Sequence, residues 1–257
     1  IFQSGVPPDY FSSTGQLWGT PTYFWSKHKS TNFDWWRRRF KRQFDLVDLL
    51  RLDHFRGFAG YWRVNGNSKT AISGKWINSP GKTLLNKLKI DLGTDFLPII
   101  AEDLGVITPD VEKLRKNFEL PGMKILQFAF DGNEDNPYLP NNIEGENWVV
   151  YTGTHDNSTC ISWWECLENN AKKRIKDEYK ISENPSWSLI KIGMDTKANL
   201  FIAPIQDILS LDDSSRLNIP GTIQNNWKWK LNRTLEEIED DLRRFSDVGN
   251  SFRRIRK

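Results

Sequence analysis

Apolar residues in this chain come in short blocks of four to eight, each followed within a few residues by a charged or amide residue. The blocks are Leu49–Leu52, Phe96–Ala101, Met123–Phe130, Trp148–Thr152 and Asn199–Pro204. Runs of this length, bounded by polar turns, are the signature of strands buried on both faces. Between them the spacing changes to three and four. Phe33, Trp36, Phe40 and Phe44 mark one amphipathic helix, over residues 32–44,. Further helices are expected near Thr83–Leu92, Ser162–Glu168, Ala171–Tyr179, Ser186–Thr196 and Leu235–Phe245. Thr108-Pro109-Asp110 reads as N-cap, N1 proline and first-turn acid of another,. Residues 1–25 and 63–82 show no period and carry Gly, Pro and Ser. They read as long irregular loops, the first held in place by its aromatic residues.

Strand and helix alternate, so the chain reads as parallel βα units of an α/β fold. No GxGxxG or phosphate loop occurs, which disfavours an open doubly wound sheet. A (β/α)-barrel fits better, because four of the five strands end in acids: Asp53, Glu102, Asp156 and Asp207. Barrel sites gather at the C-terminal ends of strands.

Composition narrows the picture without redirecting it. In 257 residues there are 12 Trp, and aromatics reach 13%. Flat rings usually serve cores, yet they also stack on the apolar faces of sugars. The net charge of +3 is too small to mark a nucleic-acid binder,. Arg37, Arg38, Arg39, Lys41 and Arg42 fall opposite the aromatic stripe of their helix and read as its wet face. Arg253–Lys257 reads as a solvated tail. Cys160 and Cys166 supply neither a disulfide framework nor a metal framework. No apolar run reaches 18 residues, so no membrane partner is expected,.

In Leu50-Arg51-Leu52-Asp53, alternation puts Arg51 and Asp53 on one face. The guanidinium favours the Asp53 anion, which suits a nucleophile, although a structural ion pair is the competing account. Glu102 follows an apolar block, and desolvation would raise its pKa, as a general acid requires. His155 and Asp156 could bind adjacent sugar hydroxyls. Two carboxylates in unlike environments are the minimum for glycosyl transfer. A metal site built on Asp53, His54, Glu102, His155 and Asp156 lacks ligand spacing, so neither metal nor cofactor is expected. A serine hydrolase lacks its Gly-x-Ser-x-Gly elbow.

The chain resembles the 4-α-glucanotransferases, or amylomaltases. The segments that carry the likeness, in family order, are Gly5-Val-Pro-Pro-Asp-Tyr-Phe-Ser, Gly15-Gln-Leu-Trp-Gly, Arg51-Leu-Asp-His-Phe-Arg-Gly-Phe, Ile100-Ala-Glu-Asp-Leu-Gly, Pro121-Gly-Met-Lys, Gly153-Thr-His-Asp-Asn and Pro220-Gly-Thr. The resemblance implies a (β/α)₈ TIM-type barrel and retaining transfer between malto-oligosaccharides. The five strands would then be numbers four to eight, in one catalytic domain over residues 1–257 that is truncated at its N-terminus. It implies Asp53 as nucleophile, Glu102 as acid/base and Asp156 as the transition-state carboxylate. Arg51 and His155 match contacts to the sugar being transferred. Asp9, Gln16, Trp18, His54, Arg56, Phe58, Phe128 and Asn226 fall at or beside the glucan groove, with cytoplasm or plastid stroma as the setting. An inactive glucan-binding remnant and an α-glucan hydrolase are the alternatives. Two departures stand out: Ser158, where an acid is frequent, and Asn225-Asn226-Trp227 in place of Gly-Asn-Trp.

Overall fold

The computed structural model describes residues 1–8, 12–105 and 107–254. These divide into two compact units, Ile1–Gly122 and Met123–Lys257.

The first unit holds β1 (Phe2–Val6), β2 (Gln16–Pro21), α1 (Trp25–Ser30), α2 (Asp34–Phe44), β3 (Leu50–Leu52) and α3 (Arg56–Ala59). It continues with β4 (Gly60–Asn65), β5 (Gly74–Asn78), α4 (Gly81–Leu92), β6 (Ile99–Ala101) and α5 (Pro109–Asn117). Strands β3 and β6 pair in parallel, with Leu50 opposite Ile99, Arg51 opposite Ile100 and Leu52 opposite Ala101. Helices α2, α4 and α5 supply the core beneath them: Trp36 and Phe40, Leu84, Leu85 and Leu88, then Val111 and Leu114. The α2 stripe is as the spacing predicts, with Phe33 also buried at the helix entrance. Its basic face is exposed or ion-paired, Arg38 to Asp34 and Arg37 to Asp91.

The irregular stretches turn out to be a sheet. Antiparallel strands run β2-β1-β4-β5, with Gln3 opposite Val64 and Trp62 opposite Trp76. These strands are half-exposed or exposed along most of their length. With no face consistently buried they carry no period of two, so main-chain pairing forms them without a hydrophobic pattern. The short helix α1, which has no buried residue, escaped notice for the same reason.

The second unit holds β7 (Gly122–Ile125), β8 (Trp148–Tyr151), α6 (Cys160–Cys166), α7 (Asn169–Tyr179), α8 (Pro185–Asp195), β9 (Leu200–Ile202), α9 (Ile205–Ile208) and α10 (Glu239–Ser251). The order in the sheet is β7-β8-β9, and β8 and β9 are parallel. Strand β7 is shorter than its apolar run. After Ile125 the chain coils into a 3₁₀ turn over Leu126–Phe128. Helix α8 buries nearly its whole length, Trp187, Leu189 and Ile190 included. Thr159 and Asn184 cap α6 and α8 through their side chains, as short polar residues do at an N-cap. Thr108 precedes α5 as expected, but its hydroxyl accepts from Arg56 instead of capping. Helix α10 begins and ends later than its sequence suggests. Among the described residues no helix is long and apolar enough to cross a membrane. Residues 255–257 of the basic tail lie outside those described.

Candidate active site

In the first unit, hydrogen bonding between β3 and β6 runs on past the strand ends. The Glu102 amide donates to the Leu52 carbonyl at 3.0 Å, and the Phe55 amide donates to the Glu102 carbonyl at 3.1 Å. This pairing brings Asp53 and Glu102 to neighbouring strand ends. Their surroundings differ sharply. The Asp53 side chain is 74% exposed and meets Arg51 Nη2 at 2.8 Å through Oδ1. A pair so open to water contributes little to stability, so what it sets is the direction of the carboxylate. Glu102 is half-buried. Its Oε2 accepts the His54 amide at 2.6 Å and its Oε1 the Leu104 amide at 3.0 Å. Burial raises its pKa and the Asp53 charge adds to the rise, while the two amides and Arg51 oppose it. The balance is upward.

His54 makes this arrangement with a left-handed backbone, φ +48°, a conformation uncommon outside glycine but one that histidine adopts more readily than most residues. Its imidazole pKa is lowered, chiefly by burial, against the pull of Asp53. Trp18 meets the imidazole edge-on, 4.6 Å between centroids at 89°. Arg51, Asp53 and His54 line a cleft of about 1000 Å³ whose walls include Trp18, Tyr23, Trp35 and Tyr61.

The other expected groove residues of this unit take varied places. Gln16 lies on exposed β2 and accepts Trp18 Nε1 at 3.5 Å. Phe58 touches the cleft but is 7% exposed, packed on Trp36 and Phe55. Arg56 lays its guanidinium over Trp76, 4.2 Å from the ring centroid, and donates to Thr108 Oγ1 at 2.7 Å. Asp9 lies outside the described residues, as does its neighbour Tyr10.

In the second unit, the turn after β8 carries His155 and Asp156. Asn157 folds it, its Oδ1 accepting both the amide and the hydroxyl of Thr154 at 2.9 Å. His155 Nε2 stands 3.3 Å from Asp156 Oδ2, and its ring lies 5.2 Å from that of Trp227. Two residues that the polar pattern never flagged complete this cluster. Asn218 Nδ2 donates to Asp156 Oδ1 at 2.6 Å. Arg216 Nη2 donates to the Asp156 carbonyl at 2.6 Å. The one available signal was that both lie within four residues of Pro220-Gly221-Thr222.

Asp207, the fourth acid that ends a strand, is buried. It is 1% exposed. Its Oδ2 accepts the Thr152 hydroxyl at 2.5 Å and its Oδ1 the Cys160 amide at 2.8 Å. Burial pushes its pKa up, but the group is sealed and ties the start of α6 to the end of β8. Phe128 is 43% exposed and packs edge-on against Tyr138. Asn226 spends its amide on its own loop, accepting from the Ile219 amide and donating to the Thr222 carbonyl. Asn225 is left-handed, φ +62°. The replacement of glycine therefore preserves a backbone shape that asparagine tolerates better than most residues.

A family model described as 4-alpha-glucanotransferase matches residues 2–236. The 4-alpha-glucanotransferase of Synechocystis is 49% identical over 229 residues, covering 88% of this chain and 45% of that protein. The chloroplastic/amyloplastic enzyme of Solanum tuberosum is 45% identical, covering 99% of this chain and 44% of its own length. Among solved structures, an amylomaltase from Streptococcus agalactiae in complex with acarbose superposes with a TM-score of 0.92 at 36% identity. That match covers all of this chain and 52% of the other. The chain thus spans about half the length of the relatives it matches.

Proposed function

The chain belongs to the 4-alpha-glucanotransferase family, and on that premise we propose that it carries the machinery for moving α-1,4-glucan segments between malto-oligosaccharides. Asp53 attacks the anomeric carbon as Glu102 gives its proton to the departing oxygen. A glycosyl–enzyme ester results. Glu102 then takes a proton from the incoming sugar hydroxyl, which displaces Asp53 with overall retention. Asp156 and His155 hold hydroxyls of the transferred sugar, and Arg51 aims the Asp53 carboxylate. Trp18 and its neighbours bind the acceptor and keep water from the ester. Gln16, His54, Arg56, Phe58, Phe128 and Asn226 belong to the groove or its supports. The parallel pairs β3–β6 and β8–β9 are what a (β/α)₈-type barrel would contain.

The observation that carries this reading is the contrast between Asp53 and Glu102 on adjacent strand ends. One is exposed beside a cation. The other is desolvated with its pKa raised. Transfer and hydrolysis are separated by products. Incubated with maltotriose, the chain should yield glucose and oligomers longer than the substrate. Glucose and maltose alone, in equal amounts, would make it a hydrolase. Binding of maltodextrin without turnover would make it a remnant. Asp53→Asn should abolish transfer, and retained activity would overturn the nucleophile assignment.

A further inference from the structure

We infer that Arg216 and Asn218 form a positioning brace for Asp156, an inference that rests on the role just proposed for that carboxylate. The two residues address different parts of Asp156. Asn218 holds its carboxylate through Oδ1 at 2.6 Å. Arg216 holds its backbone through the carbonyl, also at 2.6 Å. Arg216 also ties the brace together, since its Nε donates to the Asn218 carbonyl at 3.0 Å. Its Nη1 reaches Ser158 Oγ at 3.0 Å and Asp213 Oδ2 at 3.4 Å. One planar guanidinium thereby joins residues 156, 158, 213 and 218, which its rigid fork of donors suits.

The brace stands on fixed ground. Asp213 Oδ1 accepts the Thr159 amide at 2.8 Å, and the Asp213 amide donates to Ser162 Oγ at 2.9 Å. Both partners sit at the N-terminal end of α6. Ser215, between the anchor and the brace, is 2% exposed, and its carbonyl accepts Gln206 Nε2 at 3.1 Å. The loop that bears Arg216 and Asn218 is thus bonded to α6 and α9. Asn218 donates to Oδ1 while His155 Nε2 stands 3.3 Å from Oδ2, so the two oxygens have different neighbours and the carboxylate has one preferred orientation. Such preorganisation is what a group stabilising a short-lived positive charge requires. Ser158 fits the scheme. A neutral hydroxyl there leaves Arg216 free to divide its donors between the Asp156 carbonyl and the Asn218 backbone.

The test is maltotriose transfer by the 257-residue chain and its variants across a pH series. Asn218→Ala should lower kcat on the order of 100-fold while moving KM for maltotriose less than about twofold, the pattern of a misplaced group. Asn218→Asp is nearly isosteric but sets a second carboxyl against Asp156. Its kcat should be lower still, with the deficit growing as pH rises, because neighbouring carboxylates resist ionising together. Arg216→Lys, which keeps the charge and loses the fork, should lower kcat with KM little changed. If Asn218→Asp matches the unaltered chain at every pH, Asn218 only packs and the proposal falls. That variant also keeps the test open if Arg216→Lys fails to fold. If the unaltered chain transfers nothing, the proposed function fails instead. Crystal structures of the Asn218 variants then judge the brace: a rotated Asp156 carboxylate supports it, and an unmoved one ends it.

Discussion

Glu102 after β6 and Asp207 after β9 are alike by most local measures. Each follows a short apolar strand, each accepts a backbone amide, and burial raises the pKa of each. Their situations differ in what lies beyond the hydrogen bonds. Glu102 is half-buried, feels the charge of Asp53 and accepts the His54 amide, and both of those residues line the cleft. Asp207 is 1% exposed, with its carboxylate oxygens taken up by the Thr152 hydroxyl and the Cys160 amide. Desolvation alone therefore does not make a catalytic acid. It also needs access and a partner of opposite task.

The comparison can be broken most forcefully at Glu102. Glu102→Gln should cost roughly 10³-fold in kcat for transfer, as loss of a general acid–base does, with the fold retained by circular dichroism. A loss under tenfold would remove the distinction. In the proposed reaction the unaltered chain should lose kcat/KM as pH rises through the raised Glu102 pKa, where the proton Glu102 must donate is gone. That alkaline limb should vanish in Glu102→Gln.

Asp207 should behave in the opposite sense, in stability more than in rate. Asp207→Ala orphans the Thr152 hydroxyl and the Cys160 amide, at a cost of about 2–5 kcal/mol, read from urea midpoints. Activity per folded molecule should stay within about twofold of the parent. With its folded pKa raised, Asp207 binds its proton more tightly folded than unfolded. Its contribution is thus complete below the ordinary carboxylate range and lost as pH rises through the raised value. Urea midpoints across that window should fall with pH, less steeply in Asp207→Ala. Thr152→Val, which takes one donor from Asp207 and keeps the shape, should cost about 1–2 kcal/mol. A rate effect larger than its stability effect would place Asp207 in the chemistry after all.

These two acids also show how far the apolar pattern reaches. Alternation along Leu50–Asp53 places Arg51 beside Asp53, and the ion pair is there. The apolar block ahead of Glu102 implies desolvation, and its pKa is raised. The same reasoning at Asp207 implies a residue at the mouth, because a sequence records that an acid ends a strand but not whether a later helix covers it. Arg216 and Asn218 were invisible for a related reason. They act on Asp156 across about 60 residues of chain, and no local period encodes such a contact.

What the sequence by itself determined are the elements whose formation depends on burial: the five short strands, the α2 stripe and most of the helices. Their apolar spacing states which face leaves water, and that free energy is local to each segment. The family segments likewise mark Asp53, Glu102 and Asp156. Tertiary structure alone decided the antiparallel sheet β2-β1-β4-β5, held by main-chain pairing between strands with no buried face. It alone decided the left-handed backbone that brings the His54 amide to Glu102, and the sealing of Asp207. In each case the deciding energy is a hydrogen bond or a loss of solvent contact between residues far apart in the chain. Which groups pay that cost, and which are repaid, is a property of the folded arrangement.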